Sequence, residues 1–237
     1  MPHEVLIVRT GAPLPAPGVP DNYDPWFIQR MRAFDVNVSA WDAHREAAPP
    51  ETFDWAAVLI TGSAHAVHDR APWSERAGAW CAEAVTRDVP VLGVCYGHQL
   101  LAHALGGRTG PNPRGPEYGM ADVEILDDDP LFVGSRLQTY QLHFDVVYEA
   151  PPGARVLARS ERTDIQAMAL GRRCRTVQWH PEFDAAYVRS AIERRRPLLE
   201  PFSPTYVDDA LAEVVELPDG GGTVGRFLEH IAGIPRA

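Results

Sequence analysis

The sequence predicts an α/β fold built on a doubly wound sheet, mostly parallel, with antiparallel additions and helices on both faces. Three observations carry this. Up to residue 105, apolar runs of strand length alternate with stretches of helical spacing, the pattern of a parallel sheet covered by helices. From residue 122 short strand-like runs succeed one another between turn signals, as antiparallel additions do. Between these regions, Val91-Leu92-Gly93-Val94-Cys95-Tyr96-Gly97 passes from an apolar run through Gly-x-Cys-x-Gly into a helix-forming segment. That is the form of a sharp strand-to-helix turn that raises one side chain above the sheet.

Residues 4–9 read as a buried first strand. Residues 10–25, rich in proline and glycine, read as a loop, and a loop that long is usually functional or mobile. Asn22, Tyr23 and Asp24 could cover a site from it, with a plain surface crossing as the competing reading. Residues 26–34 have helical spacing, with Phe27, Met31 and Phe34 on one stripe; 36–41 and 57–61 read as the second and third strands. Residues 73–87 form a helix with Trp80, Ala84 and Val85 inward, and 89–94 are the strand that feeds Cys95. The helix after Cys95 continues over 99–105 and is stopped by Gly106-Gly107. Beyond it, 122–126, 138–147, 155–158, 166–170 and 174–179 are strand-like. Helices are expected at 185–195, 206–215 and 223–231, with glycines 220–222 a flexible break between the last two. No repeat or linker appears, so one domain is expected over 1–237, with a helical extension from about 184.

A chain of 237 residues, 45% of them hydrophobic, can bury a sizeable core. A net charge of −10 argues against a nucleic-acid partner. The basic run Arg194-Arg195-Arg196 reads as the solvated C-terminal end of a helix. Cys81, Cys95 and Cys174 show neither metal-ligand spacing nor a disulfide framework, which fits a reducing compartment. Cys81 and Cys174 read as inert. No signal peptide opens the chain and no apolar run is long enough for a bilayer, so a cytoplasmic protein without a membrane partner is expected. His65, His68 and Asp69 could share a face, but no further ligand cluster joins them, so neither metal nor cofactor is expected. Tryptophans 26, 41, 55, 73 and 80 read as core or loop anchors; Trp179, beside His180, could line a site or fill the core.

Cys95 taken alone could be a buried structural cysteine, the commonest fate of the residue. Its setting argues for a nucleophile. Gly93 and Gly97 remove Cβ atoms that would crowd the turn, and the helix start beside the sulfur favours thiolate. Downstream, His180 and Glu182 stand two apart in an extended segment, so their side chains point the same way. Pro181 keeps His180 extended. A carboxylate beside an imidazole fixes its tautomer and stabilises imidazolium. His-Pro-Glu alone also reads as a solvated turn; joined to Cys95 it supplies a base and its orienter.

Together these motifs resemble the class I glutamine amidotransferases over roughly residues 5–183. The resemblance rests on Gly93-Val94-Cys95-Tyr96-Gly97-His98-Gln99, on Val177-Gln178-Trp179-His180-Pro181-Glu182, and on the Thr61-Gly62-Ser63 turn. Glu117-Tyr118-Gly119 and Leu142-His143-Phe144-Asp145 are similar to segments of the amidotransferase domain of GMP synthases. The resemblance implies a flavodoxin-like fold with Cys95 at the carboxyl edge of a central strand. It implies that Cys95 attacks the γ-carbonyl of glutamine or a γ-glutamyl compound, that His180 moves the proton and that Glu182 orients His180. The N–H groups of Tyr96 and of the Gly62-Ser63 turn would form an oxyanion hole. Gln99 and the backbone at Leu142, His143 and Phe144 would hold the amino-acid end. Where many amidotransferases carry Gly-Gly-Pro or Asn-Gly-Pro, this chain has Gly62-Ser63-Ala64, closer to free-standing relatives such as the γ-glutamyl peptidases. About fifty residues follow Glu182, too few for an ammonia-accepting domain. Three functions are therefore carried: a glutaminase feeding a separate synthetase subunit, a stand-alone γ-glutamyl hydrolase, and a non-catalytic binding protein, which the intact Cys95, His180 and Glu182 disfavour.

Overall fold

The computed structural model describes residues 1–45 and 48–237. Among these, the strands are β1 (His3–Arg9), β2 (Val36–Asp42), β3 (Ala57–Ile60), β4 (Val91–Val94), β5 (Arg108–Pro111), β6 (Glu117–Ile125), β7 (Arg136–His143), β8 (Asp145–Glu149), β9 (Arg155–Arg159), β10 (Ala167–Leu170) and β11 (Cys174–Val177). The helices are α1 (Asp24–Met31), α2 (Pro72–Thr86), α3 (Tyr96–Ala104), α4 (Ala185–Arg194), α5 (Arg196–Leu199), α6 (Tyr206–Glu213) and α7 (Thr223–Arg226).

A nine-stranded sheet runs β2-β1-β3-β4-β11-β10-β9-β6-β7 among the described residues. From β2 to β11 all neighbours are parallel, in the order of a flavodoxin-like doubly wound sheet. The pairs beyond β11 are antiparallel. Successive residues of β1 serve opposite faces: Val5 and Ile7 join the core with Phe27, Met31 and Phe227, while Leu6 and Val8 join Trp80, Leu100 and Leu101. Both faces are thus buried under helices, which is why these strands read as continuous apolar runs. None of the described helices is long and apolar enough to cross a membrane.

Pro25 lies in the first turn of α1 rather than ending a loop, since its missing N–H costs nothing there. The helix ends at Met31, and Phe34 instead bridges to Arg236. The run 138–147 is two strands: the Asn112 amide takes the Phe144 carbonyl at 2.8 Å, the chain turns, and β8 leaves the large sheet to pair with β5. β5 itself, Arg-Thr-Gly-Pro, has no strand signature. β6 begins at Glu117 rather than 122, obscured by Gly119 at φ 116°. Glycines 220–222 lie in a 3-10 turn rather than a flexible break; a Cβ at Gly220 would fall 1.7 Å from the Pro181 carbonyl oxygen.

One buried contact ties α3 to the sheet. His98 is fully buried, with Nδ1 2.8 Å from the Thr176 hydroxyl and Nε2 3.2 Å from the Ile165 carbonyl. A carbonyl only accepts, so Nε2 carries the proton and Nδ1 accepts from Thr176. Burial holds this imidazole neutral, down to a pKa of about 3, against the opposing pull of the Ile165 carbonyl. Its folded pKa lies below the unfolded value, so its contribution to stability is present above pH 6.5 and is lost as pH falls toward 3. Urea unfolding of His98→Gln between pH 4 and 6 is expected to show a pH slope flatter than the wild type by about 1.4 kcal/mol per unit. Parallel slopes would contradict this account of His98.

Candidate active site

β4 delivers Cys95 to the carboxyl end of the parallel strands, where Cys95 caps α3 at φ 51°, ψ −100°. Such a conformation costs a non-glycine residue about 1–3 kcal/mol and needs support. The Cys95 N–H donates to the Val177 carbonyl at 2.8 Å, and its carbonyl accepts from Gln99 N–H at 3.1 Å. The glycines are required by close approach. A Cβ on Gly93 would stand 2.7 Å from the Gly97 oxygen, and one on Gly97 would stand 2.8 Å from the Ile60 oxygen. Tyr96 opens α3, so its N–H has no acceptor within the helix. Its side chain points away, stacked on Trp73 at 5.7 Å with its hydroxyl 2.6 Å from Ser74, and burial raises the phenol pKa to about 12.

His180 arrives on the extended segment after β11, its N–H donated to the Tyr140 carbonyl at 2.9 Å. Its Nδ1 lies 2.7 Å from Oε1 of the fully buried Glu182. Cys95 lines the same cavity, close enough for its sulfur to favour a charge on the ring. The ring stacks on Phe183 at 4.6 Å. Burial opposes a charge on His180, but Glu182 and the Cys95 sulfur outweigh it and lift the imidazole pKa to about 10. Arg30 holds the segment from behind, donating to the carbonyls of Glu182 at 3.1 Å and Phe183 at 2.5 Å. Trp179 points the opposite way, as strand alternation requires; it is fully buried against Phe132 and does not line the site.

The Thr61-Gly62-Ser63 turn faces this pair. A Cβ at Gly62 would come 2.9 Å from His180 Cε1 and 3.7 Å from Cys95 Cβ, so a side chain there would displace the imidazole. Ser63 Oγ accepts from His65 N–H at 3.1 Å and shapes the turn. Thr10 anchors it across the sheet, its hydroxyl 2.9 Å from the Thr61 carbonyl and 3.0 Å from that of Gly62.

Cys95 and His180 open into a cavity of about 230 Å³ that Ser63, Tyr96, Gln99, Leu142, His143 and Phe144 also line. Glu182 stands behind His180, outside the lining. Gln99 donates from Nε2 to the Asp145 carbonyl at 2.8 Å and to Gln178 at 3.1 Å, which fixes the floor where β7 turns into β8. His143 is held between the Asp145 carbonyl and Gln141, each at 3.1 Å, with Glu117 at 3.4 Å. Burial works against the Glu117 charge, yet His143 and the Ser160 and Thr163 hydroxyls hold its pKa below the usual carboxylate value. A larger open groove of about 840 Å³ along β6 contains none of Cys95, His180 and Glu182.

The sequence reading missed part of this wall. Ala12 and Leu14 reach the cavity from the long first loop, beside Tyr23, which the sequence already offers as a cover; the loop is tied down by Tyr23 hydroxyl to the Ala12 carbonyl at 3.1 Å and Leu14 N–H to Tyr187 hydroxyl at 3.3 Å. Asn22 and Asp24 do not line it: Asn22 caps the Asp24 N–H, and Asp24 pairs with Arg9. Tyr118, Tyr187 and Arg195 complete the wall from β6 and from α4 and its end. His68 pairs with Asp145 at 3.1 Å, and His65 packs against His44 at 4.7 Å. Cys81 and Cys174 are fully buried, and burial pushes both thiols up, Cys174 to about 12.

A family model described as "Glutamine amidotransferase class-I" matches residues 19–195. A GMP synthase [glutamine-hydrolyzing] of Aeropyrum pernix is 36% identical over 184 residues, 76% of this chain; the chain spans only 34% of that relative's length. Gamma-glutamyl peptidase 2 of Arabidopsis thaliana is 26% identical over 186 residues, 74% of this chain and 75% of that protein. In fold, the crystal structure of a glutamine amidotransferase from Thermotoga maritima superposes with a TM-score of 0.71 over 97% of each chain, at 21% identity.

The His180 charge has a measurable consequence. Its folded pKa is raised, so its contribution to stability is present in full below pH 6.5 and is lost as pH rises through about 10. Ring-nitrogen NMR shifts of His180 are expected to report imidazolium through pH 8. In Glu182→Gln the titration should move down by at least about one unit, because burial then meets one opposing charge fewer. An unmoved titration would break the link between the two residues.

Proposed function

The chain belongs to the class I glutamine amidotransferase family, and we propose that it hydrolyses a γ-glutamyl amide bond through a thioester on Cys95. Hydrolysis of the glutamine amide is the general reaction of that family. The observation that carries the proposal is His180 bonded to Glu182 at 2.7 Å and lining one cavity with Cys95, which stands at the end of the parallel strands. An amide is a poor electrophile with a poor leaving group, and a covalent intermediate divides the reaction into two easier steps.

Cys95 Sγ attacks the γ-carbonyl carbon. The developing oxyanion is received by the N–H groups of Tyr96 and of the Gly62-Ser63 turn, each donor worth about 3 kcal/mol in such sites. The C–N bond breaks as the His180 imidazolium gives its proton to the departing nitrogen, and ammonia or an amine leaves. Water, losing a proton to His180, then attacks the thioester; the C–S bond breaks and glutamate is released. Glu182 keeps the imidazole oriented and balances its charge. Gln99 and the backbone at Leu142, His143 and Phe144 hold the amino-acid end of the substrate. The helices after residue 184 act with the sheet as one unit, since α4 and the residue that ends it line the same cavity.

A stand-alone γ-glutamyl peptidase is the second reading, favoured by a cavity that Tyr187 and Arg195 line together with Cys95. The alternative is a subunit that passes ammonia to a separate synthetase. Glutamate release from glutamine and from a panel of γ-glutamyl amines and peptides tests both. Cys95→Ala is expected to lower it by at least about 10³-fold. Rapid turnover of one γ-glutamyl compound supports the peptidase; slow turnover confined to glutamine supports the subunit. No release from any compound would refute the catalytic proposal.

A further inference from the structure

The basic run Arg194-Arg195-Arg196 does not behave as a uniformly solvated helix end. Arg194 donates to the Pro15 carbonyl. Arg196 is surrounded by Glu193 at 2.7 Å, Asp208 at 3.0 Å and Glu200 at 3.1 Å. Arg195, the cap at the end of α4, lines the Cys95 cavity instead. Its Nε is buried with no hydrogen-bond partner, and among the described residues its guanidinium makes no hydrogen bond or ion pair. Tyr118 and Tyr187 line the same cavity.

A buried donor of a charged group left without an acceptor is costly, and native structures rarely leave one unexplained. The nearest alternative explanation, a neutralising carboxylate in the cavity, is not available. Asp145 is the acidic residue of the lining, and it is engaged by His68 at 3.1 Å. Glu182 stands behind His180 and is bonded to it. In a chain of net charge −10, this cavity therefore presents an unneutralised guanidinium. A planar guanidinium fork matches a carboxylate in a two-pronged arrangement that an ammonium cannot reproduce.

We propose that Arg195 is a specificity-determining residue that receives a carboxylate of the substrate. This rests on the γ-glutamyl amidase reading and adds the ligand group that the cavity selects. Two carboxylates could supply that chemistry: the α-carboxylate of the glutamyl unit, or the carboxylate of an amino acid that serves as the leaving amine. Either way, the wall formed after residue 184 reads the substrate's charge while Cys95 and His180 perform the bond cleavage.

The test separates binding from turnover. Calorimetric binding of glutamine, γ-glutamyl-alanine and 4-aminobutanamide, which lacks the α-carboxylate, is measured on the Cys95→Ala protein with Arg195 intact or changed to Gln or Ala. Melting curves identify any variant that fails to fold; the conservative Gln substitution keeps the test open if Ala does not. Loss of Arg195 should weaken γ-glutamyl-alanine by at least about tenfold relative to 4-aminobutanamide. If glutamine weakens as much as γ-glutamyl-alanine, the α-carboxylate is the group held; if γ-glutamyl-alanine alone weakens, it is the leaving amino acid. All three compounds weakened alike, or none weakened, would overturn the proposal. Glutamate release by the wild-type protein is measured in parallel. Its absence counts against the amidase reading, while the binding ratios decide the role of Arg195 independently.

Discussion

Cys95 adopts φ 51° between β4 and α3, and nothing else at the site works unless that turn is held. Three constraints hold it. β4 lies between β3 and β11, so the turn emerges from the middle of a parallel array and not from a free edge. Gly97 sits against Ile60 so closely that no side chain fits. The Cys95 amide is fastened to Val177, the last residue of β11. That bond has a second effect. β11 continues into Gln178-Trp179-His180, so the strand that braces the cysteine also brings the imidazole to it.

The charges follow from this frame. His180 and Glu182 are both taken out of water, and a buried pair of this kind stabilises only when its geometry is good and its neighbours complete it. The 2.7 Å contact meets the first condition. The second is only half met: Glu182 Oε2 is buried without a hydrogen-bond partner among the described residues, while Arg30 fixes the backbone that carries Glu182 and Phe183. The result is an imidazole whose charged form is favoured by Glu182 and by the Cys95 sulfur at a helix start, the kind of electropositive setting in which a cysteine is reactive. Cys81 and Cys174, surrounded by apolar side chains, illustrate the opposite case, where burial keeps the thiol protonated.

The parts of this arrangement visible in the sequence are those with a local physical signature. Fully buried parallel strands leave unbroken apolar runs, so β1, β3 and β4 could be read directly. Gly93 and Gly97 betray a close approach of backbone, and the i, i+2 spacing of His180 and Glu182 places them on one side of an extended segment. The same alternation also puts Trp179 in the core, an inference the sequence permitted but did not force. What could not be read is convergence. Leu14, Tyr187 and Arg195 come to one cavity from a loop and the α4 segment far apart in the chain, and none carries a local mark of it. Residues 108–111 and 117–121 were hidden for another reason: glycine, proline and charge obscure a strand whose pairing is set by distant partners.

Cys95, among three cysteines, is proposed as the activated nucleophile of a glutamyl-binding cavity. The most direct measurement is peptide-mapping mass spectrometry after brief exposure of the folded protein to 6-diazo-5-oxo-norleucine, a glutamine-shaped electrophile, with and without excess glutamine. A single adduct on Cys95, suppressed by glutamine, is the predicted result. Labelling spread over Cys81 and Cys174, or an unmodified Cys95, would contradict the claim.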